Sequence, residues 1–353
     1  MKIKNMITVA VCGIFILALS LLCFFAPKET YSDSERRVLA KFPEITWQTI
    51  TSGKFAKDFE DFATDTFPAR DAWRSIKAYT RLGLFRQKEN NDIFVAQGHI
   101  SKLEYPMNTE MLDYAISLFT KVQEQNLSDN KIYFAMIPDK NKDLADLKLD
   151  YDALEKYMAE GMPFATNISI SDLLTPEDYY YTDTHWRQEK ILDVAKQLAE
   201  AMGTQIPEDY TQNTVETPFY GVYAGQSALV CQPDTIVCLT NDVIADFVVE
   251  GAQGVYDMTK ADSRDPYELF LSGNQPVVKV TNPHNMQGKR LILFRDSFGS
   301  SIAPLLAQGY SEVVLVDLRY INSQLLDQYV DFENADVLFL YSTLLLNNSL
   351  GMK

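Results

Sequence analysis

The chain opens on an apolar run. Met6 to Ala26 carry no charge, and Thr8 and Ser20 are the clearly polar side chains among them. That is close to the ~20 residues a helix needs to cross the hydrocarbon core of a bilayer. Lys2 and Lys4 precede the run, no small-x-small cleavage site follows it, and Leu22 before Cys23 is not the small residue a lipoprotein signal needs. The pattern therefore predicts an uncleaved single-pass anchor over residues 1–27, with the N-terminus in the cytoplasm and the remainder outside it. Lys28, Arg36, Arg37 and Lys41 outnumber the lysines ahead of the run. Large domains are translocated largely regardless of such flanking charge.

Beyond a polar stretch at 28–37, helical spacing recurs in Phe55, Phe59 and Phe62, and again in Trp73, Ile76 and Tyr79 after Pro68. These aromatic stripes read as core contacts. A strand and turn follow at Asn91–Lys102, then an amphipathic helix with Met111, Ala115, Leu118, Phe119 and Val122 on one face. From here apolar strands alternate with helices. Ile132–Ile137, Ile168 with Ile170, Arg290–Phe294, Val313–Val316 and Val337–Leu340 read as strands. Helices are predicted from Ile191 to Met202, around Ile302–Ala307 and around Leu325–Tyr329. Near-continuous apolar strands between helices predict an α/β fold with a mostly parallel sheet covered on both faces. The expected organisation is a mainly helical N-terminal segment at 28–127 and the sheet domain at 128–353, with an irregular insertion at about 210–285.

A formal net charge of -16 argues against a nucleic-acid partner, since phosphate binding needs clustered Lys and Arg. Cys231 and Cys238 flank a turn-like Gln232-Pro233-Asp234, which fits either a local disulfide or two free thiols. The chain shows no internal repeat and no glycine-rich phosphate loop.

Ligands of open α/β sheets bind where strands end and helices begin. At one such place the apolar strand Leu291–Phe294 gives way to Arg295-Asp296-Ser297-Phe298-Gly299. A serine there presents its hydroxyl at the sheet edge, near backbone N–H groups that stabilise a developing oxyanion. Serine needs a base. Of His99, His185 and His284, His185 has a carboxylate two residues away, in Tyr181-Thr182-Asp183-Thr184-His185-Trp186. Asp183 is placed to orient the imidazole and Trp186 to restrict water. In isolation Ser297 also fits a helix cap, and Asp183 with His185 also fits a local capping pair or half of a metal site. No further metal ligands at sensible spacing and no cofactor motif accompany them.

The chain resembles the DHHW family of bacterial envelope proteins and, more distantly, the SGNH-hydrolase-like domains of alginate acetylation proteins. The matching blocks are Tyr31-Ser32-Asp33-Ser34-Glu35-Arg36-Arg37 with Leu39–Pro43, Phe67-Pro68-Ala69-Arg70-Asp71, Ile137-Pro138-Asp139-Lys140, Thr182–Trp186 and Arg295–Gly299. Thr184 stands where the family name has its first histidine, as in the alginate-type version. The resemblance implies a three-layer α/β/α SGNH-like fold and a covalent acyl-serine mechanism. In it Ser297 is the nucleophile, with its N–H part of the oxyanion hole, His185 the general base and Asp183 the residue that holds His185. It further implies acetyl transfer to, or release from, a cell-envelope or exported polysaccharide, with a membrane-bound O-acyltransferase supplying acetyl groups. The competing expectation is a non-catalytic envelope protein that binds glycan or scaffolds an assembly. Lys140 and Arg295 fall in these blocks without a chemical role.

Overall fold

The computed structural model describes residues 3–25, 28–286 and 288–353. Lys2 and Ala26, used in reading the apolar run, lie outside the described residues. The chain forms two compact units, Met1–Asn91 with Ala224–Val230, and Asp92–Tyr223 with Cys231–Lys353.

The second unit is built on seven strands: β1 (Ile132–Ile137), β2 (Thr166–Asn167), β3 (Val248–Val249), β4 (Val277–Thr281), β5 (Arg290–Arg295), β6 (Glu312–Val316) and β7 (Ala335–Ser342). Their spatial order is β2-β1-β7-β5-β6-β4-β3. The pairs from β2 through β6 are parallel, and β4 and β3 add an antiparallel edge. Every residue of β1 and β7 is buried, which is why these strands read as unbroken apolar runs.

Successive side chains enter two different cores, as the two-residue period of a strand requires. Phe134, Ile292, Phe294, Val337 and Phe339 pack with Leu112, Phe119 and Val122 of the Thr109–Asn126 helix. Ala135, Leu291, Leu293, Leu338 and Leu340 pack with Val194 and Leu198 of the Leu192–Ala201 helix and Ile302 of the Gly299–Leu306 helix. The division between units falls at Asn91 and not at 127. The apolar face of Thr109–Asn126 belongs to the sheet's core.

The region read as an irregular insertion is more ordered than expected. It supplies β3 and β4, and a hairpin of Thr211–Thr214 with Val237–Thr240. Cys231 and Cys238 are both free thiols. Cys238 is buried among Tyr180, Phe219 and Ile236, opposite Asn213 in the hairpin. The strand expected at Ile168 and Ile170 is shorter and earlier, at Thr166–Asn167. The helix expected at 325–329 is a 3-10 stretch, Ser323–Gln328.

In the first unit the Ile3–Phe25 helix contains a span, Ile3–Cys23, long and apolar enough to cross a membrane, and none of it is buried. Helices Trp47–Thr51, Lys54–Asp65 and Arg70–Ala78 follow. The two longer ones carry the aromatic stripes, and here the expectation of core contacts fails. Phe59, Trp73 and Ile76 are 43%, 48% and 56% exposed. Helical spacing reports a shared face but not what covers it. Ion pairs tie the unit together instead: Arg37 and Arg70 to Asp65, and Arg70 and Arg74 to Glu35.

The two kinds of aromatic site make different predictions. Phe119 is fully buried, with its ring 4.8 Å from Phe339 and 5.1 Å from Tyr341. Phe119→Ala should lower stability to urea by about 3–5 kcal/mol. Phe59 is 43% exposed and meets Phe42, Phe55 and Phe62, so Phe59→Ala should lower it by only about 1 kcal/mol. Equal losses in the two variants would contradict this assignment of the core.

Candidate active site

β1 and β5 flank β7 in the sheet, and the polar residues of the site follow their C-terminal ends. Beyond β5, Asp296 fixes the turn that carries Ser297. Its carboxylate accepts the Phe298 N–H at 3.0 Å, the Ser342 N–H at 2.9 Å and the Ser342 hydroxyl at 2.6 Å. Gly299 is needed here because a Cβ on it would lie 2.5 Å from Arg295 Cβ. Ser297 is half-buried and still reachable from solvent, whereas Asp183 and His185 are buried.

Asp183 and His185 lie in a tight turn. Tyr179 bridges Trp186 and the Tyr180 N–H donates to His185 O at 3.1 Å, so residues 181–184 form the tip of a tight hairpin. In that turn Asp183 Oδ1 accepts the His185 backbone N–H at 3.0 Å and lies 2.5 Å from His185 Nδ1. Asp183 Oδ2 accepts the Val222 N–H at 2.8 Å. His185 Nε2 is 2.7 Å from Ser297 Oγ. The three residues nominated from the sequence are thus brought into one hydrogen-bonded chain, carboxylate to imidazole to hydroxyl. Of the other histidines, His99 is buried against Tyr181, its pKa lowered to about 4 chiefly by burial, and His284 faces Asp246 on the surface.

No sequence-family model and no curated protein matches the chain. Solved structures do match. A DHHW family protein from Eubacterium siraeum aligns at a TM-score of 0.63 and 19% identity, over 74% of this chain and 95% of that one. The two chains share one fold. PatB1 from Bacillus cereus aligns at 0.57 and 18% identity, over 73% and 97%. Its structure with a sulfonyl adduct aligns at 0.56 and 20% identity, over the same shares.

Within this DHHW-type fold, Lys140 acquires the role that the sequence did not reveal. Its ammonium is fully buried and donates to the backbone carbonyls of Tyr180 and Asp183, both at 2.8 Å. It therefore clamps the hairpin that bears Asp183 and His185. Burial lowers its pKa to about 8, against the opposing charges of Asp139, Asp183 and Asp234. Asp234 holds the same hairpin from another side, accepting the N–H groups of Tyr181 and Thr182, each at 2.8 Å. Arg295 is also fully buried, with Nη1 3.6 Å from Asp317 Oδ2, beneath the serine turn.

Sequence reasoning missed Val222, Asp234 and Tyr267 because they come from the stretch read as irregular. The Tyr267 ring stacks on His185 at 3.8 Å between centroids and 11° between planes. Gly221 is needed beside Asp183, since a Cβ there would fall 2.3 Å from Asp183 Cβ. The Gly221-Val222 pair after an aromatic residue was the available signal, and it has no meaning until the hairpin is folded against it.

Two carboxyls near this shell titrate upward. Burial raises Asp139 to about 6, opposed by the Asn141 N–H and by Lys140. Burial, then the charge of Asp139, raises Glu104 to about 8. A raised carboxyl keeps a proton that the unfolded chain has released. Its stabilising contribution is complete below the unfolded pKa and is lost as pH climbs through the folded one. Lys140 runs the other way, and above about 8 the folded protein gains relative to an unfolded chain that still binds the proton. His99, lowered to about 4, gains in the opposite sense up to about pH 6.5, so the melting temperature should fall from there to about pH 8, and Glu104→Gln should flatten that fall. Parallel melting curves for the two proteins across this range would show that Glu104 holds no proton in the folded state.

Proposed function

We propose that the protein is an anchored, extracytoplasmic acyl-serine enzyme with an SGNH-like three-layer α/β/α core. In this reading it moves acetyl groups onto cell-envelope or exported polysaccharide. The observation that carries the reading is the 2.7 Å contact of His185 Nε2 with Ser297 Oγ, with Asp183 Oδ1 at 2.5 Å from the opposite ring nitrogen. The resemblance of Thr182–Trp186 and Arg295–Gly299 to the alginate-type blocks supports acetyl as the group transferred. The apolar Ile3–Cys23 span supports attachment to the membrane, with the sheet unit outside the cytoplasm.

The chemistry follows from the hydrogen-bonded chain. Ser297 Oγ attacks the acyl carbonyl carbon while its proton passes to His185 Nε2. Asp183 stabilises the imidazolium so formed, and the Ser297 N–H is the proposed donor to the developing oxyanion. Collapse expels the donor's alkoxide oxygen, which takes the proton from His185, and leaves acetyl esterified to Ser297. A sugar hydroxyl then gives its proton to His185 and attacks that ester, and Ser297 Oγ recovers a proton as it leaves. Water in place of the sugar gives an esterase. A membrane-bound O-acyltransferase is the partner proposed to supply the acetyl group. Stacking by Tyr267 and the tilted Phe298 ring at 4.8 Å cover the imidazole and limit the water route.

Turnover of 4-nitrophenyl acetate by the detergent-solubilised protein tests the centre. Ser297→Ala and His185→Ala should each reduce it by about 10³-fold or more, and Asp183→Asn by about 10²–10⁴-fold. A sulfonyl fluoride, chosen because PatB1 has been solved with a sulfonyl adduct, should label Ser297 in the wild-type protein. Unchanged turnover in Ser297→Ala, with labelling elsewhere, would show that Ser297 is not the nucleophile, and no turnover and no labelling of the wild-type protein would leave the non-catalytic glycan-binding reading in its place.

A further inference from the structure

The first unit contains a cavity of about 720 Å³ between its helices and the Ala224–Val230 segment. Clefts of about 300–1,000 Å³ are the usual size for small-ligand sites. Part of the wall is aromatic. Phe59, Phe67 and Trp73 line it, and the last two rings meet edge to face at 6.5 Å. The rest is polar, chiefly Arg70, Arg74 and Asn90 with Glu35. These include the Glu35 and Phe67–Arg70 blocks singled out in the sequence, for which the serine centre has no use.

The polar wall is held in place but not satisfied. Arg70 Nη1 donates to Glu35 at 2.5 Å, and Arg74 Nη2 donates to Gly225 O at 2.9 Å. Two buried atoms of residues that line the cavity, Arg70 Nε and Asn90 Oδ1, have no hydrogen-bond partner among the described residues, and Asn90 is only 4% exposed. One is a donor and the other an acceptor. A ligand that answers both must accept and donate, which a hydroxyl does and an ionised phosphate or carboxylate does not. The wall's cations are already engaged, Arg70 and Arg74 with Glu35 and Lys77 with Asn91 Oδ1, and Glu60 lines it too, so little unpaired positive charge is left for a polyanion. An acyl chain would leave every polar group there desolvated and unpaired. The half-exposed faces of Phe59 and Trp73 offer flat apolar surface of the kind that covers the C–H face of a sugar ring.

We propose that this cavity binds an oligosaccharide, holding its rings on Trp73 and Phe59 and its hydroxyls on Arg70 and Asn90. The expectation that the sugar is an envelope glycan rests on the acyl-transfer reading. The site itself rests on the cavity, and none of its residues belongs to the unit that holds Ser297.

The full-length protein in detergent micelles would be titrated calorimetrically with the uncharged oligosaccharides chitopentaose, cellopentaose and mannopentaose. At least one should bind. Trp73→Ala should weaken that binding by about tenfold or more, with Trp73→Phe recovering much of it. Turnover of 4-nitrophenyl acetate should stay within about twofold in both variants, and far-UV circular dichroism and melting curves that match the wild type would show that the unit bearing Trp73 still folds. Absence of binding by all three sugars would overturn the proposal, as would binding that survives both Trp73→Ala and Phe59→Ala. Quenching by brominated lipid in nanodiscs that falls in Trp73→Ala, with no sugar bound, would assign the cavity to the bilayer instead. A wild-type protein that binds sugar but turns over no ester would sink the acyl-serine reading and leave the cavity standing.

Discussion

A lysine ammonium with none of its surface in water is the constraint around which the site is arranged. Leaving such a charge unpaired in a protein interior costs several kcal/mol or shifts its pKa until it neutralises. Lys140 is compensated by the carbonyls of Tyr180 and Asp183 and by the field of Asp139, Asp183 and Asp234. The compensation works in both directions. The carbonyls satisfy the ammonium, and the ammonium fixes the backbone of a hairpin that local sequence would leave free. Asp183 then stands in one orientation, with Oδ2 on the Val222 N–H and Oδ1 on His185. Lys140 is therefore a positioning residue, acting on the imidazole through the loop that bears it.

The serine side is held by the same device with the charges reversed. There the buried group is a carboxylate, Asp296, and its partners are N–H and O–H donors from Phe298 and Ser342. Ser342 ends β7, so the turn after β5 is tied to the neighbouring parallel strand. Catalytic groups need placement to within roughly 0.5 Å, and side chains locked by buried hydrogen bonds provide it better than loops left to themselves. Both halves of the site rest on a buried charge fully engaged with backbone or hydroxyl groups. Removing such a charge should disturb geometry before it disturbs chemistry.

Most of what depends on strand and helix periodicity was legible in the sequence. β1 was read at its observed limits, and β5, β6 and β7 to within two residues at each end, because buried parallel strands leave continuous apolar runs. Asp183, His185 and Ser297 were nominated because few other residues have the required chemistry, and the structure gathers them. What stayed hidden depends on pairings far apart in sequence. Val222 meets Asp183 across 39 residues and Asp234 meets Thr182 across 52, and no local pattern announces either. The aromatic stripes of the first unit were misread for a related reason. A helix whose apolar face is only partly covered, as Phe59 and Phe62 are by Phe42, has the same periodicity as one that is buried.

Ser301 shows how these distant parts become one rigid frame. Its hydroxyl accepts from Trp186 Nε1 and from the Tyr267 hydroxyl, each at 2.9 Å, and donates to Phe298 O at 3.3 Å. A hydroxyl has one proton and two lone pairs, so its capacity is filled. Each contact comes from a different element. Trp186 follows the base, Tyr267 covers the base, and Phe298 adjoins the nucleophile. The distance from His185 to Ser297 is thus set twice, once by their own hydrogen bond and once through Ser301 one turn along the serine's helix. A hydrogen bond between two functional groups must loosen when either exchanges its proton. The second linkage holds no titrating partner near neutral pH, since Tyr267 is pushed well above its usual range by burial. The frame can therefore keep its dimensions while His185 changes charge, which a proton shuttle between fixed atoms requires.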